Sequence, residues 1–183
     1  MINDYEATQP ISPEGSFGRI SDPDVDMAFN SDYVSILNGL IEVCKDGEFG
    51  FQTAAESTER SDLKEIFNKY EQQRAQFATA LQGHVRILGG DPETSGSIGG
   101  AIRRGWMDFK SAITGNSDEA ILNECERGED VAKDAYAAAM KENLPSNIQE
   151  TILNQAKAIM ATHVHIRSLR DGEKARSASA NNR

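Results

Sequence analysis

The sequence predicts an all-α protein built as a bundle of four long helices. Apolar residues recur at helical spacing through most of residues 31–171. Glycine and proline interrupt this spacing at points that divide it into two pairs of helices, each joined by a short loop. Short loops predict two antiparallel hairpins, and a long link at residues 89–117 joins one hairpin to the other.

Start and stop signals delimit each predicted helix. Ser31 can serve as the N-cap of the first helix, and the Gly89-Gly90 pair stops the second. Pro145 closes the turn after the third helix, and Ser146 can cap the fourth. The predicted spans are 31–56, 61–88, 117–143 and 146–171.

The long link carries one further helical segment at residues 98–113, with Trp106 and Phe109 among its apolar residues. A four-helix bundle with one long crossover is the ferritin-like arrangement, so we predict a ferritin-like bundle whose crossover carries a short extra helix. A basic amphipathic segment can also lie on a membrane surface. We favour packing against the side of the bundle, because anionic lipid would repel an acidic chain.

Charge and cysteine content exclude several classes of function. The 183 residues carry a formal net charge of -10, so nucleic acid is not an expected partner. No run of 18 apolar residues occurs, and the first residues lack the basic and apolar pattern of a secretory signal. Both cysteines of the chain lie on predicted core faces, and a reducing cytoplasm is the expected location.

The two ends of the chain differ in composition from the helical part. Residues 1–30 hold three of the five prolines together with acidic residues, and we expect a disordered or loosely attached acidic arm. Residues 172–183 are small, polar and mildly basic, and they predict a flexible tail. The predicted domain is therefore a ferritin-like bundle over residues 31–171.

One short sequence occurs twice, as Cys-Lys-Asp-Gly-Glu at 44–48 and as Cys-Glu-Arg-Gly-Glu at 125–129. Each copy follows an apolar pair and places a glutamate, Glu48 or Glu129, on the predicted inward face of its helix. Helix bundles build carboxylate-bridged metal sites from helices that each present one buried carboxylate. The repeat therefore directs attention to a metal site at the middle of the bundle.

The complete ligand pattern of such a site is a Glu from each of two helices and a Glu-x-x-His from each of the other two. Counting outward from the first predicted turn places Glu48 level with Glu71. Arg74 stands three residues later, where a histidine is needed. In the second hairpin Met160 stands where a glutamate is needed, and His163 follows at the histidine position.

The arginine changes the expected chemistry of this site. Arg74 is a permanent cation and cannot bind a metal ion, and among carboxylates it would supply the positive charge that a metal otherwise supplies. We therefore predict a degenerate metal site converted into a buried ion cluster, with no catalytic residue and no bound cofactor. The predicted cluster consists of Glu48, Glu71, Arg74 and Glu129.

Three alternatives stay open at this point. A site for iron or another divalent metal would use the ligands Glu48, Glu71, Glu129 and His163. A mononuclear site would use Glu129, His163 and either Glu48 or Glu126. In the third alternative each glutamate lies at the edge of its apolar stripe, with the carboxylate in water.

Six short motifs of the chain resemble those of one family. The motifs are Leu37-Asn38-Gly39-Leu40-Ile41-Glu42, Asp46-Gly47-Glu48-x-Gly50-Phe51, Leu88-Gly89-Gly90-Asp91-Pro92, Arg104-x-Trp106, Glu126-x-Gly128-Glu129-Asp130 and His163-x-x-Ile166-x-x-Leu169-Arg170-Asp171. As a set they resemble the bacterial ferritin-like four-helix-bundle family of unknown function, over about residues 31–171. The resemblance implies a ferritin-like bundle, a cytoplasmic bacterial protein and a link to stress conditions, and it supplies no substrate.

Together these observations predict a non-enzymatic protein that works by association, as a homodimer or with a protein partner, under stress. The alternative is a metal-binding or di-iron redox or storage protein that uses the carboxylates at the bundle centre and His163.

Overall fold

The computed structural model describes residues 23–96, 101–112 and 117–181, and in these ranges every regular element is a helix. The helices are α1 (Pro23–Ser57), α2 (Ser61–Ile87), α3 (Ala101–Ala112), α4 (Asp118–Ala139) and α5 (Ser146–Asn181). The all-α prediction is therefore confirmed, and α3 is the short extra helix expected in the crossover. None of the described helices is both long enough and apolar enough to cross a membrane.

The four long helices form a closed ring of contacts. α1 pairs with α2 and α4 pairs with α5, while α1 also packs along α4 and α2 along α5. Hydrogen bonds set the antiparallel register of α2 and α5, since Tyr70 meets His165 at 2.5 Å and His84 meets Thr151 at 2.9 Å. α2 and α4 therefore lie diagonally opposite each other. This is the ferritin-like arrangement of two hairpins and one crossover.

The first two helices show how proline and glycine set helix ends. α1 begins at Pro23, earlier than the predicted start near Ser31, with proline at the first helical position, where no N–H is needed. α2 stops where the sequence predicted, because Gly89 adopts a φ of 79°, a conformation that favours glycine. Residues 1–22 of the predicted arm lie outside the described residues.

α5 is longer than predicted. The sequence placed its end near residue 171, yet the helix continues to Asn181. Glu173 accounts for the extension, because its carboxylate binds Arg60 in the turn between α1 and α2 and also Arg176, the latter at 2.6 Å. Much of the stretch predicted as a flexible tail is thus helical, and ion pairs near its start hold it to the end of the bundle.

The core consists of two apolar clusters that lie toward opposite ends of the bundle. Each cluster draws side chains from α1, α2, α4 and α5. Representative members of the first are Leu37, Leu81, Ala132 and Ile152, and of the second Phe51, Phe67, Ile121 and Ile166.

The crossover helix α3 is held to the bundle by an aromatic side chain. Trp106 is buried and packs over Gly50 of α1, where an added Cβ would lie 3.0 Å from the indole nitrogen. Phe109 meets the Trp106 ring edge-on, with ring centroids 5.5 Å apart. The helix therefore covers the side of α1 with its aromatic face.

Candidate functional site

A buried ion pair between Arg74 on α2 and Glu129 on α4 occupies the middle of the bundle. Nη2 of Arg74 donates to both carboxylate oxygens, at 2.7 and 2.6 Å. The two side chains are only 1% and 2% exposed. Because α2 and α4 are diagonal neighbours, this pair links the first hairpin to the second through the core.

Three residues of the surrounding core make room for the guanidinium. Gly47 lies against the Arg74 stem, and an added Cβ would come within 3.2 Å of Cδ and 3.3 Å of Cγ. The rings of Phe51 and Phe77 have their centroids 5.9 and 5.7 Å from Cζ of Arg74, within the range of a cation–π contact. Arg74 is thus enclosed by a glycine, two aromatic rings and one carboxylate.

The ion pair does not satisfy all of its polar atoms. Nε and Nη1 of Arg74 are buried and have no hydrogen-bond partner in the described chain. Burial raises the pKa of the Glu129 carboxyl, and the Arg74 guanidinium acts in the opposite direction. Buried donors without partners cost about 1–3 kcal/mol each, so we interpret the pair as fixing how the hairpins match rather than as a source of net stability.

Glu48 and Glu71 do not join this pair. The Glu48 carboxylate is 30% exposed and accepts a hydrogen bond from Lys45 at 2.9 Å. Glu71 is half-buried and has no ion pair among the described residues. The inward position on α1 is held by Gly47, and one residue along a helix is a rotation of about 100°, which places Glu48 toward the surface.

His163 is buried beside the pair but binds a different carboxylate. Its Nε2 lies 3.0 Å from Asp130, which also accepts a hydrogen bond from Lys133 at 2.6 Å. The hydrogen bond from Lys133, with His163 nearby, lowers the pKa of Asp130. Nδ1 of His163 is buried with no partner in the part of the chain that the structure describes.

Met160 is 47% exposed, because the inward positions of this part of α5 are held by Ile159, Thr162 and His163. The position at which the ligand pattern needs a glutamate therefore lies on the exposed side of α5.

A chain of buried polar groups lies next to the ion pair and crosses the core. The Tyr136 hydroxyl donates to Gln155 at 2.6 Å, and Gln155 donates to the carbonyl of Phe77 at 3.3 Å. Since the Tyr136 proton goes to Gln155, the Cys44 thiol is the donor in its 3.1 Å contact with the Tyr136 oxygen. Burial raises the pKa of Cys44 to about 11, so the thiol stays protonated at neutral pH.

Some of these residues were absent from the sequence predictions, and for one of them the signal was present. Gln155 lies three residues after Ile152 and four before Ile159, which is the inward stripe of α5. A glutamine at such a position predicts a buried polar contact. Asp130 gave no comparable signal, because it is half-exposed and follows the inward Glu129 directly.

The residues at the bundle centre do not fit a di-metal carboxylate site. That site needs carboxylates from four helices and two imidazoles, whereas a guanidinium lies at this centre. Among residues 23–96, 101–112 and 117–181, no three His, Cys, Asp or Glu side chains are grouped so that they could hold a metal ion. Glu126, a ligand of the mononuclear alternative, binds Arg170 instead.

Comparison with known proteins identifies the fold and the family. Residues 32–142 match the family described as Domain of unknown function (DUF2383). A solved structure of a Dps1 mutant from Mycobacterium smegmatis is similar, with a TM-score of 0.65, 15% identity and coverage of 81% of this chain and 99% of that one. At that identity the likeness concerns the ferritin-like fold alone. No curated protein sequence matches the chain.

Proposed function

The chain belongs to the family described as Domain of unknown function (DUF2383), and from the buried Arg74–Glu129 pair we propose a non-enzymatic ferritin-like bundle whose metal site has degenerated. In this proposal the protein acts by association, as a homo-oligomer or with a protein partner. The resemblance of its motifs suggests a bacterial cytoplasm and stress conditions as the setting. The two buried free thiols, Cys44 and Cys125, are consistent with a reducing compartment.

The position of Arg74 is the observation that carries the proposal. A guanidinium buried at the bundle centre repels a divalent cation at the place where a ferritin-like site would bind one. It also takes up both oxygens of Glu129, the one carboxylate of the predicted set that lies fully in the core. The positive charge that the site needs is therefore already supplied by the chain.

Metal analysis of the full chain tests this proposal. Protein purified from cells supplemented with iron, manganese or zinc should carry metal at close to zero ions per chain. Arg74→His removes the cation and adds a ligand beside Glu129 and His163, so we expect this variant to take up metal under the same conditions. Arg127→His is the matched control, because Arg127 lies exposed on α4 and pairs with Glu124.

Two results would contradict the proposal. If the native chain held about two ions, it would be a metal-binding protein that uses the ligands Glu48, Glu71, Glu129 and His163. If Arg74→His and Arg127→His behaved alike, the guanidinium would not be the group that excludes metal.

A further inference from the structure

The outward face of α5 carries an apolar stripe that the described chain leaves uncovered. Leu153, Met160 and Val164 are 43%, 47% and 59% exposed. Their spacing of seven and four residues places them along one line of the helix. The same line continues in both directions at alternating steps of three and four residues, through exposed positions only. The complete set is Ser146, Glu150, Leu153, Lys157, Met160, Val164, Arg167 and Asp171.

This spacing is compatible with the seam of a two-helix coiled coil. Alternating steps of three and four define the a and d positions of a heptad repeat. Three of the four middle positions of the seam are apolar and the fourth is Lys157, while Glu150 lies on one side of them and Arg167 on the other. Neither Glu150 nor Arg167 has an ion pair within the described ranges. The apolar part of the stripe is therefore flanked by two charges of opposite sign that form no ion pair within the described chain.

We propose that a second copy of this chain docks on this face, with the two α5 helices antiparallel about a two-fold axis. In one register Leu153 meets Val164 of the partner subunit. Glu150 precedes Leu153 by three residues and Arg167 follows Val164 by three, so the same register places Glu150 against Arg167 of the partner subunit. A two-fold axis repeats both contacts in reverse, which gives the reciprocal contacts of an isologous interface.

The central layer of the seam gives the interface its register. Lys157 follows Leu153 by four residues and therefore lies opposite Met160 of the partner subunit, over which its aliphatic stem can lie while the ammonium reaches water. A single lysine in a seam fixes register at a cost in affinity.

The charges along the stripe allow a second copy to dock, although two chains with a formal net charge of -10 each repel one another at long range. The stripe itself is balanced, because Glu150 and Asp171 offset Lys157 and Arg167. This inference deepens the proposed association of the protein and rests on it. It is independent of the metal argument, since a dimer could form whether or not the native chain binds metal.

Sedimentation equilibrium of the full chain tests the interface. We expect the native chain to be a dimer, and Val164→Glu to raise the dissociation constant by roughly 100-fold, because each new carboxylate would be buried against Leu153 of the partner subunit. Ile87→Glu is the matched control, because Ile87 is 79% exposed on α2, outside the stripe, and its variant should dimerise like the native chain. Circular dichroism checks that both variants remain helical.

Charge reversal supplies a second test, in which dimerisation is first weakened and then restored. Glu150→Arg and Arg167→Glu should each weaken the dimer by about tenfold, and the double variant should restore it. A native chain that stays monomeric would overturn the proposal, as would a dimer insensitive to Val164→Glu. The proposal would also be overturned if the double variant dimerised no more tightly than the single variants, because Glu150 and Arg167 would then not face each other across the two-fold axis.

Discussion

At the scale of the residue, Arg74 can be buried because its neighbour on α1, Gly47, has no side chain. The two copies of the repeated sequence each contain a glycine, Gly47 and Gly128, yet only the first lies against a side chain. A methyl group at Gly47 would press on the Arg74 stem, whereas one at Gly128 would meet nothing within 4 Å. The same residue type in the same motif thus serves the packing of a guanidinium in one copy only.

Alanine at these two positions separates packing from helix propensity. Both substitutions gain the same propensity of about 1 kcal/mol, because both sites lie inside helices. Arg74 is held by Glu129 and enclosed by aromatic rings, so it has no room to move away from a new methyl group. We expect Gly47→Ala to be less stable than Gly128→Ala by about 1–3 kcal/mol in urea unfolding. Equal stabilities would contradict the close packing of glycine and arginine.

The sequence predicted both members of the central ion pair, but it also added two glutamates that do not belong to it. Arg74 and Glu129 were found because the repeat and the ligand pattern both pointed to the middle of the bundle. Glu48 and Glu71 were included because counting from the turns fixes the level of a residue and leaves its rotation about the helix open. A single position, from Gly47 to Glu48, is the difference between the core and the surface.

At the scale of the element, α3 depends on a close approach to α1. Trp106 lies over Gly50, and a Cβ at that position would stand 3.0–3.3 Å from three atoms of the indole ring. The amphipathic pattern of the crossover predicted a helix, and its aromatic residues predicted the buried face. The sequence could not predict that α3 packs on α1, because this contact depends on the space above Gly50, which only the folded arrangement of the two helices shows.

Fluorescence of the single tryptophan reports whether this contact holds. Gly50→Ala should push Trp106 off α1 and shift its emission to longer wavelength as the buried indole meets water. Gly39→Ala is the control, because Gly39 also lies on α1 and has no atom within 4 Å of an added Cβ. An emission maximum unchanged in Gly50→Ala would show that the indole does not rest on this glycine.

At the scale of the whole molecule, the Arg74–Glu129 pair joins two hairpins that are separate in sequence. Helix spans and hairpin pairing followed from periodicity and loop length, since these are local properties of the chain. The extension of α5 did not, because Glu173 finds Arg60 across more than a hundred residues of sequence. Long-range ion pairs of this kind leave no periodic signal.

Breaking the central pair from one side should cost more than removing it. Arg74→Met leaves Glu129 buried without its cation, and we expect a loss of about 3–5 kcal/mol in urea unfolding at pH 7. Replacing both residues by methionine should restore stability to within about 1 kcal/mol of the native chain, or exceed it. The loss in Arg74→Met should shrink as the pH is lowered, because burial already raises the pKa of Glu129 and favours its neutral form. If the double variant were as unstable as the single one, the pair would be a net source of stability.

The division of the core into two clusters has a consequence for how the protein opens. Each cluster contains side chains from all four long helices, so each end of the bundle encloses an apolar interior of its own. The Arg74–Glu129 pair lies between the clusters, where the guanidinium contacts the ring of Phe51 from one cluster and that of Phe77, which packs against the other. We therefore expect amide protons at the two ends of the bundle to exchange with solvent at different rates, because each end opens against an apolar cluster of its own.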